Sequence, residues 1–255
     1  MRRFSRGAVL LLPLVLAACG RDGARGTTPD TLRYAVQHVA KSEGECRSTD
    51  SLKTPSPCVK VDITWPELSD RTPVADAARQ FIRRLASASF RDGSEKASPD
   101  SVAAEAVAGH AEMRTKHAGY SVPWSLEREV SVACNESGRF GVKVYTNQFT
   151  GGSHAASATR YANFDTRTGK RRGPAELLVP GQERGFKEAM LKVLQRDRAA
   201  AQVKLDVDSI PMPASVLACG DSLLVQYDVL TVGPHRLIDK VLSVKRDSLR
   251  GLVQP

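Results

Sequence analysis

The stretch TGGSHAASATRYANFDTRTGKRRGP, residues 150–174, predicts a sharp bend followed by a strand and a second turn. Gly151 and Gly152 lack a Cβ atom, so the chain can bend there at angles that other residues resist. We expect His154 and Asn163 to hydrogen-bond that bend. The stretch therefore indicates a fold-building segment, and its exposed face is a candidate binding surface.

The elements on either side extend this pattern. Residues 159–164 form the next strand, residues 166–169 turn it with Gly169 in a left-handed conformation, and Pro174 begins a short helix over residues 175–178. Before the bend, residues 126–134 and 140–149 alternate in hydrophobicity around a turn at residues 135–138, which predicts a hairpin.

The rest of the chain groups its strands and helices instead of alternating them strictly. Strands are predicted at residues 32–41, 59–65, 223–229 and 241–244, and helices at residues 74–90, 98–118 and 181–200. Asp70 or Thr72 can cap the first helix, Ser98 or Asp100 the second, and Asp247 a final turn. This grouping predicts an α+β fold, with a mainly antiparallel sheet packed against two to three helices.

The first residues have the form of a lipoprotein signal peptide. Arg2, Arg3 and Arg6 precede the apolar run 8–16, which ends in Leu-Ala-Ala-Cys with Cys19 as the lipidation candidate. We predict a signal peptide at residues 1–18 and a flexible tether at residues 19–30. We also predict that a lipid anchor holds the protein in the outer membrane, where it faces the periplasm. An ordinary signal peptide ending near Cys19 is the alternative.

The charge of the chain is mildly basic. Lysine and arginine number 37 against 28 acidic residues, a formal charge of +9, and removal of three signal-peptide arginines leaves +6. The basic residues are scattered, and only 5% of the residues are aromatic, so an exported protein of this kind is not expected to bind nucleic acid. Attraction to anionic lipid or anionic wall polymer is more consistent with this composition.

Four cysteines remain after Cys19, and an even number in an oxidising compartment indicates two disulfides. Four cysteines allow three pairings. Cys46 with Cys58 is the local pairing, and Cys134 would then pair with Cys219. A zinc site is the rival interpretation, but the sequence contains no Cys-x-x-Cys spacing.

Two stretches resemble catalytic motifs. Gly-Asp-Ser-Leu at residues 220–223 matches the block that places a serine nucleophile, Ser222, in one lipase and esterase family. Here the late His235 lacks an aspartate three residues before it, so turn chemistry is the favoured interpretation. Ser153 and His154 are adjacent and point to opposite faces of an extended chain, which disfavours a nucleophile–base pair.

His110 and His117 lie seven residues apart on one predicted helix. Histidine ligands on a helix are usually three or four residues apart, and seven residues give about 10 Å of rise, so we expect a solvated face and no metal. Phosphate-binding glycine loops are absent from the sequence, and we predict no cofactor.

The stretch YTNQFTGGSHAASATRYANFDTRTGKRRGPAELL, residues 145–178, resembles the signature of a bacterial envelope domain family. That domain forms the extracellular part of RsiV-type anti-sigma factors, accompanies some peptidoglycan deacetylase modules and stands alone in many lipoproteins. The signature residues here are Thr150, Gly151, Gly152, His154, Asn163, Asp165 and Gly169. In RsiV the related domain binds lysozyme, so the resemblance implies binding of a protein or cell-wall ligand.

The resemblance divides the chain into an N-terminal part, residues 31–148, and a C-terminal part, residues 149–255, which we expect to form one compact unit. The function expected is that of a non-enzymatic, lipid-anchored envelope protein that binds a protein or cell-wall ligand. One alternative is an envelope esterase or deacetylase that uses Ser222 or His154, and another is a structural lipoprotein without a ligand.

Overall fold

The computed structural model describes residues 31–44, 46, 57–136, 138–196, 206–227 and 241–254. The predicted signal peptide, Cys19, the tether and His235 lie outside the described residues. Within them, no helix is both long enough and apolar enough to cross a membrane.

The first half of the fold is a six-stranded sheet with its strands in sequence order. Its strands are β1 (Tyr34–Glu43), β2 (Val59–Leu68), β3 (Trp124–Glu136), β4 (Arg139–Phe149), β5 (Ala156–Asp165) and β6 (Arg171–Arg172). All neighbours pair antiparallel except β2 and β3, which are parallel and are therefore joined by a long helical crossover. The α+β class and the mainly antiparallel sheet are thus confirmed.

Two helices form that crossover, and both are capped as expected. Helix α1 (Pro73–Ala86) begins after Thr72, whose hydroxyl oxygen accepts a hydrogen bond from the Ala75 N–H at 3.2 Å. Helix α2 (Pro99–Lys116) begins after Ser98, whose side chain accepts from the Ser101 N–H. The prediction that the first helix runs to Phe90 is wrong. It ends at Ala86, and Ser87 follows as the C-cap with its N–H bonded to the Arg83 carbonyl oxygen at 2.8 Å.

Alternating strand residues and the stripe of α1 form one continuous apolar core. On β4, Phe140 and Val142 are almost fully buried, and Ala78 and Ile82 of α1 are buried on the helix side. A predicted strand end at Trp65–Pro66 is also wrong, since β2 continues to Leu68. Its pairing with β3 stops at Thr64, so the proline lies where one side of the strand has no partner.

The second half of the fold has a separate apolar core around a three-stranded antiparallel sheet. It contains α3 (Pro174–Leu177), α4 (Glu183–Arg196), β7 (Ser215–Cys219), β8 (Ser222–Gln226), β9 (Val241–Lys245) and a 3-10 helix at Arg246–Leu249. Phe186, Met190 and Leu194 of α4 are buried in this core, as the amphipathic pattern predicts. The sequence analysis expected one sheet, and it did not predict β6 or β7.

Several contacts join the second sheet to the first. The amide of Asn163 on β5 donates to the Val216 carbonyl at 2.7 Å and accepts from the Ala218 N–H at 2.9 Å. Leu217 of β7 packs over Gly141, where an added Cβ would lie 2.3 Å from the leucine side chain. A disulfide, together with hydrogen bonds to β7 and to the turn after it, also joins the sheets. The proposed junction between the N-terminal and C-terminal parts, at residues 148 and 149, falls at the end of β4, inside the six-stranded sheet.

Candidate functional site

Both disulfides join the cysteines that the sequence analysis paired. Cys46 and Cys58 close the loop before β2 with a Cα–Cα distance of 5.3 Å, and Cys134 of β3 bonds Cys219 of β7 at 5.6 Å. Cys134, Glu136 and Cys219 have metal-ligand atoms close together. Because the two sulfur atoms are bonded to each other, neither is a thiolate ligand.

The signature bend is solvent-exposed. Gly151 and Gly152 have φ values of +117° and +99°, which favour glycine, and Thr150 and His154 are exposed beside them. His154 makes no hydrogen bond with any described residue. The expectation that Asn163 bonds the bend is wrong, because its amide bonds β7 instead. The bend depends on its glycines.

The turn after β5 is held by Asp165. Its carboxylate accepts from the backbone N–H groups of Arg167 and Thr168 at 3.1 and 3.0 Å and from Arg172 at 2.6 Å. Burial alone would raise the pKa of Asp165, but the hydrogen bonds from Thr168 and Arg167 and the charge of Arg172 together lower it. Gly169, at φ +71°, lies so close to α1 that a Cβ would come within 2.6 Å of the Pro73 carbonyl oxygen.

Ser222 is the first residue of β8 and directly follows the turn from β7. Its hydroxyl donates to the Asp221 carboxylate at 2.8 Å, and the other oxygen of that carboxylate bonds Lys245. The hydrogen bond from Lys245, followed by that from Ser222, lowers the pKa of Asp221. Among the described residues, no histidine hydrogen-bonds Ser222, and His235 lies outside them.

The two helix histidines have different surroundings. His110 is buried, its Nε2 atom lies 3.1 Å from the Val122 carbonyl oxygen, and its ring packs edge-on against Trp124 at 5.5 Å between ring centres. His117 is exposed and follows the end of α2. His110 therefore acts as a core residue, not as one of a solvated pair.

A groove lies between α1 and the β5–β6 edge, and we call it the Phe81 groove after its central residue. It has a volume of about 360 Å³ and continues along α1 past Arg84. Its walls include Phe81, Arg84, Tyr161, Arg171 and Pro174. The guanidinium groups of Arg171 and Arg84 lie 5.3 and 5.8 Å from the centre of the Phe81 ring.

The charge of the Phe81 groove is unbalanced. In the part of the chain that the structure describes, neither Arg84 nor Arg171 has a carboxylate within 4 Å, whereas the neighbouring Arg83 pairs with Glu67 at 2.7 Å. Glu95 lies at one end of the groove. Stacking on a ring holds a guanidinium in place while leaving its N–H donors directed outward. The arrangement is suited to binding an anionic group. The sequence analysis did not predict the Phe81 groove, because Arg84 and Arg171 are far apart in the chain.

Comparison with known proteins identifies the fold. No family model and no curated protein matches the chain. A solved structure of a DUF3298 family protein from Pseudomonas aeruginosa has a TM-score of 0.59 at 19% identity, covering 88% of this chain and 95% of that one. A second DUF3298 family member, from Bacteroides fragilis, has a TM-score of 0.61 at 13% identity, covering 89% and 96%. The chain has the fold of these bacterial proteins. At such identities the likeness extends to the fold alone.

Proposed function

We propose that this chain is a lipid-anchored envelope protein that binds a protein or cell-wall ligand without catalysis, and that the ligand is held in the Phe81 groove. The observation that carries the proposal is the pair of guanidinium groups on one aromatic ring, neither of which has a carboxylate within 4 Å among the described residues. The two disulfides support export, because such bonds persist in oxidising compartments. The sequence of residues 1–19 and the RsiV-like signature support an anchor at Cys19 facing the periplasm.

Peptidoglycan is the ligand that best fits the charge of the groove. Its stem peptides carry carboxylates, and a guanidinium presents paired donors that match a carboxylate. The Phe81 ring and the aliphatic wall at Leu85 and Pro174 provide apolar surface beside those donors. Side chains of this kind bind charge and apolar groups. They do not exchange protons near neutral pH, which favours binding over turnover.

Cosedimentation with peptidoglycan sacculi tests the proposal. The mature, oxidised protein is compared with the double variant Arg84→Gln/Arg171→Gln, and we expect binding to fall about ten-fold or more. The matched control is Arg184→Gln/Arg250→Gln, which removes the same charge from two exposed arginines that pair with acidic side chains elsewhere. Equal binding by the wild type and the groove variant would overturn the assignment to the groove.

Lysozyme provides a second arm, because the RsiV-like signature implies a protein ligand as an alternative. Binding to lysozyme but not to sacculi, lost in the groove variant, would make the ligand a protein. Binding to neither, together with no capture of an envelope protein, would contradict the proposal. Hydrolysis of acyl esters or acetylated glycan that disappears in Ser222→Ala or His154→Ala would contradict its non-catalytic part.

The lipid anchor has its own test. In the native host, Cys19→Ser should move the protein from the membrane fraction to the soluble envelope fraction, and mass spectrometry of the wild type should find acyl chains on Cys19. An unmodified Cys19 in the wild type would contradict the anchor and leave the groove proposal in place.

A further inference from the structure

A second basic site lies where the two sheets meet. A cavity of about 260 Å³, which we call the junction cavity, is lined by Arg139 of β4, Arg172 of β6, Arg246 after β9, and Arg167 and Asp165 of the turn after β5. These residues come from both halves of the fold. The cavity lies beside the Phe81 groove and shares Arg172 with its lining, but the inference drawn from it does not depend on the proposed function.

The acidic and basic groups of this cavity do not balance. Four arginines face one carboxylate, and both oxygens of Asp165 are already engaged, one by the turn and the other by Arg172. Arg246 donates to the Gln254 carbonyl oxygen at 3.0 Å and, like Arg139, has no carboxylate within 4 Å among the described residues.

The arginines also affect one another. Burial, and then the positive charge of Arg246, lower the pKa of Arg139, and Arg172 adds to this effect, while Glu136 opposes it. Half-buried like charges are unfavourable unless an opposite charge neutralises them, and an anion in the cavity would supply that charge.

We propose that the junction cavity binds a phosphate group, with Arg139 and Arg246 as its principal donors. The lining has four positive charges and one negative charge, so a phosphate dianion neutralises it better than a single carboxylate does. The bound group would bridge β4 to the segment after β9 and would strengthen the contact between the two sheets. Free phosphate and a phosphorylated sugar headgroup both present this chemistry.

Titration calorimetry on the mature, oxidised chain tests the site at constant ionic strength. The probes are inorganic phosphate, N-acetylglucosamine 1-phosphate and acetate. We expect saturable binding of at least one phosphate probe and at least ten-fold weaker binding of acetate. The tighter of the two phosphate probes identifies the source of the group. Equal heats for acetate and phosphate, or no saturation by either phosphate probe, would overturn the proposal.

Variants assign the binding to this cavity. Arg139→Gln and Arg246→Gln should each weaken the binding about ten-fold, whereas Arg84→Gln in the Phe81 groove should leave it unchanged. Without phosphate, Arg139→Gln should unfold at the same temperature as the wild type or higher, because like-charge repulsion is reduced, whereas Arg246→Gln also loses its hydrogen bond to the Gln254 carbonyl oxygen. If Arg139→Gln does not fold, the titration of Arg246→Gln decides. Undiminished binding by the folded variants would place the anion elsewhere and contradict the assignment.

Discussion

The two halves of the molecule are built differently. The six-stranded sheet has strands of up to 13 residues, covered by α1 and α2, and its core runs from Leu32 to Phe164 without using the second half. The three-stranded sheet has strands of five residues, and its own core runs from Leu177 to Leu249. Short strands bury less apolar surface each, so the second half has less stability of its own.

The contacts between the two halves therefore contribute more to the stability of the second half than to that of the first. Asn163, the pair of Gly141 with Leu217, and the Cys134–Cys219 disulfide all act on β7, a strand of the smaller sheet. The difference teaches that a small sheet can be fixed by a few specific contacts at one strand. The junction cavity lies at the same boundary, so a ligand there would act on the weaker half.

Breaking the long-range disulfide should have the largest effect. The 85-residue separation of Cys134 and Cys219 implies a loop-closure contribution of about 4.6 kcal/mol, against about 2.8 kcal/mol for the 12-residue separation of Cys46 and Cys58. We expect Cys134→Ala/Cys219→Ala to lower the melting temperature more than Cys46→Ala/Cys58→Ala does. Calorimetry on both double variants measures this, and a reversed order would contradict the comparison.

Removing the amide of Asn163 should rank next. Asn163→Ala leaves the Val216 carbonyl and the Ala218 N–H unpaired in a buried place, which we expect to cost about 3 kcal/mol in the free energy of unfolding. Asn147→Ala on β4 is the control, since it loses one hydrogen bond, from the Ser157 hydroxyl. Urea denaturation measures both. Equal losses would show that the amide does not fasten the sheets.

Alanine variants of two glycines distinguish the stability cost of a close contact from the cost of backbone strain. Gly169→Ala in the first half combines a positive φ with a clash at the Pro73 carbonyl, and we expect a loss of about 2–3 kcal/mol. Gly181→Ala in the second half has φ +79° but open space around its Cβ, so strain alone predicts about 1 kcal/mol. Denaturant midpoints compare the two, and a cost at position 181 that matches position 169 would remove the role of the contact.

Acid should act on the first half through Asp70, with the smallest effect. A hydrogen bond from the Arg33 N–H, and then the Arg33 side chain, lower the pKa of Asp70 against the opposing effect of burial. A lowered pKa gives stability that is present above the unfolded value of about 3.9 and is lost as the pH falls through the folded value. Asp70→Asn should therefore lose less stability between pH 6 and pH 3 than the wild type does. Urea denaturation of both proteins at pH 6 and pH 3 measures these losses in the free energy of unfolding, and equal losses would refute the prediction.

Patterns that are local in sequence predicted much of the fold. The caps at Thr72 and Ser98, the alternation of Phe140 and Val142, and the stripe of α4 each depend on residues a few positions apart, and the structure contains all of them. Both predicted disulfides followed from pairing Cys46 with Cys58, which are near each other in sequence, because this pairing left Cys134 for Cys219. Strand β7 was missed, because its five residues, SVLAC, form a short apolar run without alternation.

Contacts between distant residues account for what the sequence did not show. The split into two sheets depends on Asn163 meeting β7 about 53 residues later. The parallel pairing of β2 with β3 depends on how the crossover packs. The Phe81 groove and the junction cavity collect arginines from separate elements, and scattered arginines have no local pattern that distinguishes a cluster from a solvated surface.

Hydrogen exchange measured by mass spectrometry on Cys134→Ala/Cys219→Ala tests the central claim most directly. If the stability of the second half depends on its contacts with the first sheet, peptides from β7, β8 and α4 should exchange much faster than in the wild type. Peptides from β2, β3 and β4 should keep their protection. Equal acceleration in both halves would show that they unfold as one unit, and unchanged exchange in β7 would show that the small sheet is stable alone. Either result would contradict the account.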